Sequence, residues 1–184
     1  MTSSPKIISR NNGKLVIEID IESCDSLLQE EENIMNLVNS IGAELTGEAL
    51  ERHDITSETI KLGEVIAYSK GKSNGVYQTP YGAVDVQRHV YQTSDGGKII
   101  VPLEMNCKMV DNTTPKFAKQ VSSKYINMSA SDVISDLADN HGRRTSRSFV
   151  QNVVSCVGTE IESSMADGQW TIAPTVDPSR IKSI

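Results

Sequence analysis

With 184 residues the chain is long enough for one domain of ordinary size, or two small ones, with a core of its own, but only 4% of its residues are aromatic, so that core is poor in large rings. No stretch approaches the roughly 18 consecutive apolar residues needed to cross a bilayer, which excludes a membrane-spanning helix. The net charge of −6 is unevenly spread: from Lys14 to Glu64, 13 acidic residues stand against Lys14, Arg52 and Lys61, a local net of −10, whereas from Lys116 to Arg147, six basic residues stand against Asp132, Asp136 and Asp139, a local net of +3.

The first residues, "MTSSPKIISRNNGK", include no apolar leader segment, and the three cysteines, Cys24, Cys107 and Cys156, are far apart and odd in number. Both features lead us to expect a reduced, cytoplasmic protein. Residues 14–21, "KLVIEIDI", alternate Leu15, Ile17, Ile19 and Ile21 with polar side chains, the period of a half-buried strand. After Ser23, a candidate N-cap, Leu27, Leu28, Ile34, Met35, Val38, Ile41, Leu45 and Ala49 recur at helical spacing around Glu30, Glu31 and Glu32. This predicts an acidic helix, broken near Gly42 or Gly47, whose apolar stripe serves either as core or as the face of a homodimer.

Residues 69–75, "SKGKSNG", are small and polar and predict a linker. The Gly71-Lys72-Ser73 triplet has the order of a phosphate-binding loop, but Ile66 stands where that motif needs its first glycine, so the reading fails. Val84, Val86, Arg88 and Val90 then alternate with Asp85, Gln87, His89 and Tyr91, and Ser94-Asp95-Gly96-Gly97 supplies turn chemistry before "KIIVPL". This predicts a β-hairpin whose second strand is kept at an edge by Pro102.

The C-terminal part turns helical. Thr114 is a candidate N-cap, Pro115 suits a first helical position, and Phe117, Ala118, Val121 and Tyr125 share a face. Ser129 and Asp132 have capping-box spacing, Val133, Ile134, Leu137 and Ala138 follow on one face, and Gly142 is the expected stop. A third helix starts at Thr145 or Ser146 and carries Phe149, Val150, Val153, Val154, Val157 and Ile161; Gly168 and an extended tail follow. The expected fold is therefore α+β: an acidic N-terminal strand and helix (1–68), a linker and hairpin (69–113), a three-helix unit of helix-turn-helix type (114–168) and the tail (169–184).

In a helix-turn-helix the last helix lies in the DNA major groove with its N-terminal residues at base edges. At about 100° per residue, Ser148, Gln151, Asn152 and Ser155 fall opposite the Phe149/Val153/Val157 stripe and form a hydrogen-bonding set. Gln and Asn can pair bidentately with adenine, while Arg143, Arg144 and Arg147 at the turn, with Lys116 and Lys119 on the first helix, suit phosphates. The pattern alone leaves open that these arginines are solvated turn residues and the polar set only an exposed face.

No catalytic constellation stands out. Cys24, Cys107, Cys156, His53, His89 and His141 lack paired metal-ligand spacing, and His141 beside Gly142 reads as a helix-end residue interacting with the dipole. No cofactor or metal is expected.

The runs "VYQTPYGAVDVQRHVYQTSDGGKIIVPLE" (76–104), "TPKFAKQVSSKYINMSASDVISDLADNHGRRTSRSFVQNVVSCVG" (114–158) and "WTIAP" (170–174) together resemble the N-terminal part of transposases from bacterial insertion sequences of the Kra group. The Tyr-Gly hairpin, Pro102-Leu103-Glu104, the Thr114 to Ala118 helix start and Asn140-His141-Gly142-Arg143-Arg144 carry the resemblance over roughly 100 of the 184 residues. It implies a DNA-binding region that, in the family, precedes an RNase H-like core whose acidic triad holds two metal ions. Such chemistry needs carboxylates around metals about 3.5–4 Å apart. The resemblance places the first catalytic Asp in an Asp-Gly strand soon after the Trp segment, whereas here Asp177 is followed by Pro178 and the sequence ends at Ile184. The expectation is a truncated or split transposase product that binds double-stranded element ends without catalysing strand transfer. The alternative is a free-standing helix-turn-helix regulator, with the acidic helix as a dimerisation arm.

Overall fold

The alternation of Leu15 and Ile17 becomes a strand, β2 (Lys14–Glu18), paired antiparallel with β1 (Lys6–Asn11), which sequence reasoning did not identify. In this computed structural model the described residues are 5–11, 14–20, 24–93 and 96–166. Ser23, the Ser94-Asp95 turn, Gly168 and the tail with Trp170 and Asp177 lie outside them.

The acidic stripe forms α1 (Leu27–Glu51), capped by Ser26, whose hydroxyl accepts from the Gln29 N–H at 3.3 Å. The helix runs unbroken through Gly42 and Gly47, correcting the expected interruption. A glycine inside a helix costs only about 1 kcal/mol relative to alanine, and at Gly42 the missing side chain makes room for a ring: an added Cβ would come within 2.6 Å of Tyr81 Cδ1.

Four strands follow in an antiparallel sheet of order β3 (Thr59–Leu62), β4 (Val65–Gln78), β5 (Ala83–Thr93) and β6 (Ile99–Ile100). The predicted linker 69–75 is a correction: it is the middle of β4, and the boundary drawn at residue 69 falls inside a strand. Its glycine content marks a bulge, where Lys70 and Gly71 stand opposite Val90 alone and Gly71 takes φ +89°. The predicted hairpin pairs β5 with β6, but β6 is only two residues long. Pro102 does not hold an edge strand; it opens a short helix, α2 (Pro102–Asn106), where its missing N–H has no helical bond to forgo. Leu50 from the end of α1 packs with Tyr77, Val84, Val86 and Leu103 in one core.

The second core belongs to α3 (Pro115–Tyr125), α4 (Ala130–His141) and α5 (Arg147–Ala166). Local chemistry defines their ends. Pro115 starts α3 after Thr114, Ser129 and Asp132 form the reciprocal capping box of α4, and Gly142 stops α4 with φ +61°. The Ser146 hydroxyl accepts from the Phe149 N–H at 3.1 Å and caps α5. Phe117, Ala118, Val121, Ala130, Val133, Leu137, Val150 and Val153 are buried between the three helices. Helices of 11 and 12 residues are marginal alone, and each buried Phe, Leu or Val contributes about 1.5–3 kcal/mol, so this shared core holds them. The described residues thus make an α+β fold with five helices and two antiparallel sheets. None of these helices is long and apolar enough to cross a membrane.

Candidate nucleic-acid interface

The helical unit is fastened to the sheet at the end of β4. Val110, Asp111, Asn112 and Thr113 make a tight turn with Asp111 at φ +44° and Asn112 at φ +56°, residue types that tolerate the left-handed region. That turn delivers Thr113 and Thr114 alongside Gln78. The Gln78 N–H donates to the Asn112 carbonyl at 2.8 Å, and the Thr114 N–H donates to the Gln78 carbonyl at 2.9 Å. The start of α3 is therefore an extension of the sheet's hydrogen bonding.

Arg143, from the segment between α4 and α5, reaches the same place. Its Nε donates to the Thr79 carbonyl at 3.1 Å, an Nη donates to Gln78 Oε1 at 2.8 Å, and its guanidinium lies over the Phe117 ring, 5.1 Å from the centroid. Only 8% of the residue is exposed. Burial pushes the guanidinium below its ordinary range, yet an arginine stays cationic at any ordinary pH. This corrects the assignment of Arg143 to a phosphate contact: the residue is buried, two of its donors bond inside the protein and its flat face lies over Phe117.

The other predicted residues are open to solvent. Arg144 and Arg147 are exposed, as are Ser148, Gln151, Asn152 and Ser155 along α5, opposite the buried Val150 and Val153. Ser148 is partly engaged, its hydroxyl 3.0 Å from that of Ser146. The apolar stripe of α5 ends at Val157, and Ile161, expected on it, is exposed. Lys116 and Lys119 are exposed on α3, and Phe117 stacks on Phe149 with centroids 5.8 Å apart, so the first turns of α3 and α5 lie side by side.

Lys116, Lys119 and Lys124 line a shallow depression of about 480 Å³ with Gln120, Ser123 and His141. Lys116, Lys119 and Ser123 follow one another along α3 over about 10 Å. Lys124 is paired with Asp136, whose carboxyl is held below the usual carboxylate range by the Lys124 ammonium and the Asn140 amide. His141 is the last residue of α4, as its helix-end reading expected, and its carbonyl accepts from Asn39 Nδ2 of α1 at 2.9 Å. None of the ion pairs among the described residues involves Lys116, Lys119, Arg143, Arg144 or Arg147. Together with the N–H groups of the first turn of α5, they place uncompensated positive charge at one end of the helical unit.

Gln78 and Thr79, which hold Arg143, are positions that sequence reasoning missed. Neither carries a local signal, since their partner Arg143 lies more than 60 positions further on. Among the described residues, no three His, Cys, Asp or Glu side chains are grouped so as to hold a metal ion. No family model matches the chain, and no curated protein matches it.

Proposed function

We propose that α3, α4 and α5 form a helix-turn-helix unit that binds duplex DNA, and that the chain is the DNA-binding region of an insertion-sequence transposase, acting on the ends of its element. The observation that carries the DNA-binding reading is the exposed ridge of Ser148, Gln151, Asn152 and Ser155, set beside Arg144, Arg147, Lys116 and Lys119, none of which has an acidic partner among the described residues. Uncompensated cations beside an amide-bearing helix face suit a phosphate backbone flanking a groove. The connection from Gly142 to Ser146, with a glycine stop at one end and a serine cap at the other, suits the turn of such a unit. The transposase assignment rests on the order of the motifs from Tyr81-Gly82 to Arg144 and on nothing else.

In this reading α5 lies in the major groove, Gln151 and Asn152 read base edges, and Arg144, Arg147, Lys116 and Lys119 hold phosphates on either side. Arg143 does not touch DNA; it sets where α5 begins relative to α3. The residues named bind and position the duplex and take no part in strand cleavage.

Titration of the full chain with a fluorescent duplex across a salt series tests this reading. The expected result is binding at low salt whose affinity falls linearly on a log–log scale, with a slope of about −0.9 for each phosphate contacted. Absence of binding at low salt overturns the reading.

A further inference from the structure

Helix α1 carries a second apolar face that the rest of the described chain covers only in part. Of its 25 residues only Leu50 is buried, in the core with the sheet. Its other inward contacts include Met35 and Asn39 at Gly142, Gly42 at Tyr81, Ala43 against the same core and Glu48 paired with Arg10 of β1. Leu27, Ile34, Val38 and Leu45 nevertheless stay 47 to 69% exposed, Val38 at the rim of a depression with Tyr81 and His141, and Leu45 beside Arg10 and Leu15. Their spacings of 7, 4 and 7 keep them within about 20° of a single line along the helix, over about 27 Å. This is the seam of a coiled coil, with Leu27 and Ile34 at one core position of the heptad and Val38 and Leu45 at the other. A stripe of that length left in water is a mark of an interaction surface.

The charge on the same helix selects the occupant. Residues 27–51 include Glu30, Glu31, Glu32, Glu44, Glu48 and Glu51, and no lysine or arginine. Glu31 stands in the seam, at the core position one heptad before Val38. In a parallel pair of identical helices it would face its own copy across the apolar contact. In an antiparallel pair the flanking carboxylates would find no cation on the other helix. Like charges so placed are destabilising, and opposite charges at these positions set partner choice. We infer that α1 docks a basic amphipathic helix of another protein, apolar stripe against apolar stripe, with its lysines or arginines beside Glu30, Glu31 and Glu44. The homodimer expected from the stripe alone is disfavoured by the same charges. This surface adjoins the end of α4 at Val38 and Asn39 but does not depend on the DNA-binding reading.

The probe is a synthetic amphipathic peptide of about three heptads with leucine at the core positions and lysine beside them, and its counterpart with glutamate in place of lysine. By sedimentation velocity the full chain alone is expected to be monomeric at neutral pH. The lysine peptide is expected to bind and the glutamate peptide not. Val38→Ser should weaken binding about tenfold, as removal of a central apolar contact does, with the helical circular dichroism of the chain unchanged. Glu31→Lys with Glu44→Lys keeps the stripe and should weaken binding of the lysine peptide while admitting the glutamate peptide. The inference is overturned by self-association that Val38→Ser abolishes, by equal binding of the two peptides, by lysine-peptide binding indifferent to Val38→Ser, or by binding of neither.

Discussion

Arg143 Nε donates to the Thr79 carbonyl at 3.1 Å, joining the segment between α4 and α5 to the end of β4. Gln78 receives the other arm of the same guanidinium, and Phe117 of α3 packs beneath it. One side chain therefore sets the sheet, α3 and the start of α5 in a common frame. Arg143→Ala removes both bonds and leaves buried acceptors unpaired, at a cost of about 1.5–3 kcal/mol for hydrogen bonds to a charged group. Urea unfolding should show that loss. A variant as stable as the parent would mean that the frame is held without this residue.

Arg144, the next residue, is exposed and forms no ion pair with the described residues. Arg144→Ala should leave stability within about 0.5 kcal/mol, weaken binding to all duplexes alike, and flatten the salt slope by about 1. Gln151→Ala should instead relax base preference, with about 1–3 kcal/mol of discrimination lost at one position. Competition with randomised duplexes separates the two effects, and equal, sequence-independent losses from both variants would remove Gln151 from base readout.

The difference between these neighbours could not be read from the chain. Arg143 and Arg144 have the same charge, the same local context and adjacent positions, and what parts them is a contact with Thr79 that closes a loop of more than 60 residues. What was legible was local. The capping box of Ser129 and Asp132, the proline at 115, the glycine at 142 and the 3.6-residue stripes of α3 and α4 each act within a few positions and appear as expected. Gly71 and Pro102 misled because each suits two settings: a glycine serves a bulge as well as a loop, and a proline serves a helix start as well as a strand edge. Pairing with β5 decided the first, and helix α2 decided the second.

Gly142 holds φ +61°, and a Cβ added there would come within 2.9 Å of Asn39 Nδ2 and 3.4 Å of Met35 Cε. Gly142→Ala is therefore strained in its backbone and crowds α1 where Asn39 meets the His141 carbonyl. A loss of about 1 kcal/mol from the left-handed conformation alone is expected. Gly142→Asn, a type that tolerates the conformation, should carry less backbone strain but the same crowding. If alanine cost nothing in thermal unfolding, the contact between α1 and the end of α4 would have to be loose.

The Lys124–Asp136 pair predicts an acid-side dependence. Hydrogen bonds from Lys124 and then Asn140 lower the Asp136 pKa in the folded chain. A depressed folded pKa contributes stability that is present above the unfolded value of about 3.9 and is lost as pH falls through the folded one. Lys124→Met should remove the largest cause of the depression and, with it, part of the fall in stability between neutral pH and the acid limit. Parallel stability curves for parent and variant below about pH 4 would contradict this assignment.

Tyr77 predicts the opposite limb. Its ring is buried beneath the Arg88 guanidinium, and its hydroxyl donates to Glu104 Oε1 at 2.8 Å. Burial first, then the bond to the Glu104 carboxylate, drives its pKa well above the usual tyrosine value. The folded state therefore keeps a proton that the unfolded state releases at about pH 10. A raised folded pKa contributes stability that is complete below the unfolded value and is lost as pH rises beyond it. The parent should accordingly lose stability above about pH 10 more steeply than Tyr77→Phe, which has no proton to release. At neutral pH the same variant should cost about 1.5 kcal/mol, for a single bond to a charged acceptor, because Arg88 still faces Glu104 at 3.4 Å. Denaturant midpoints collected from neutral to alkaline pH check both, and an identical alkaline slope in the two proteins would place the Tyr77 hydroxyl in contact with solvent.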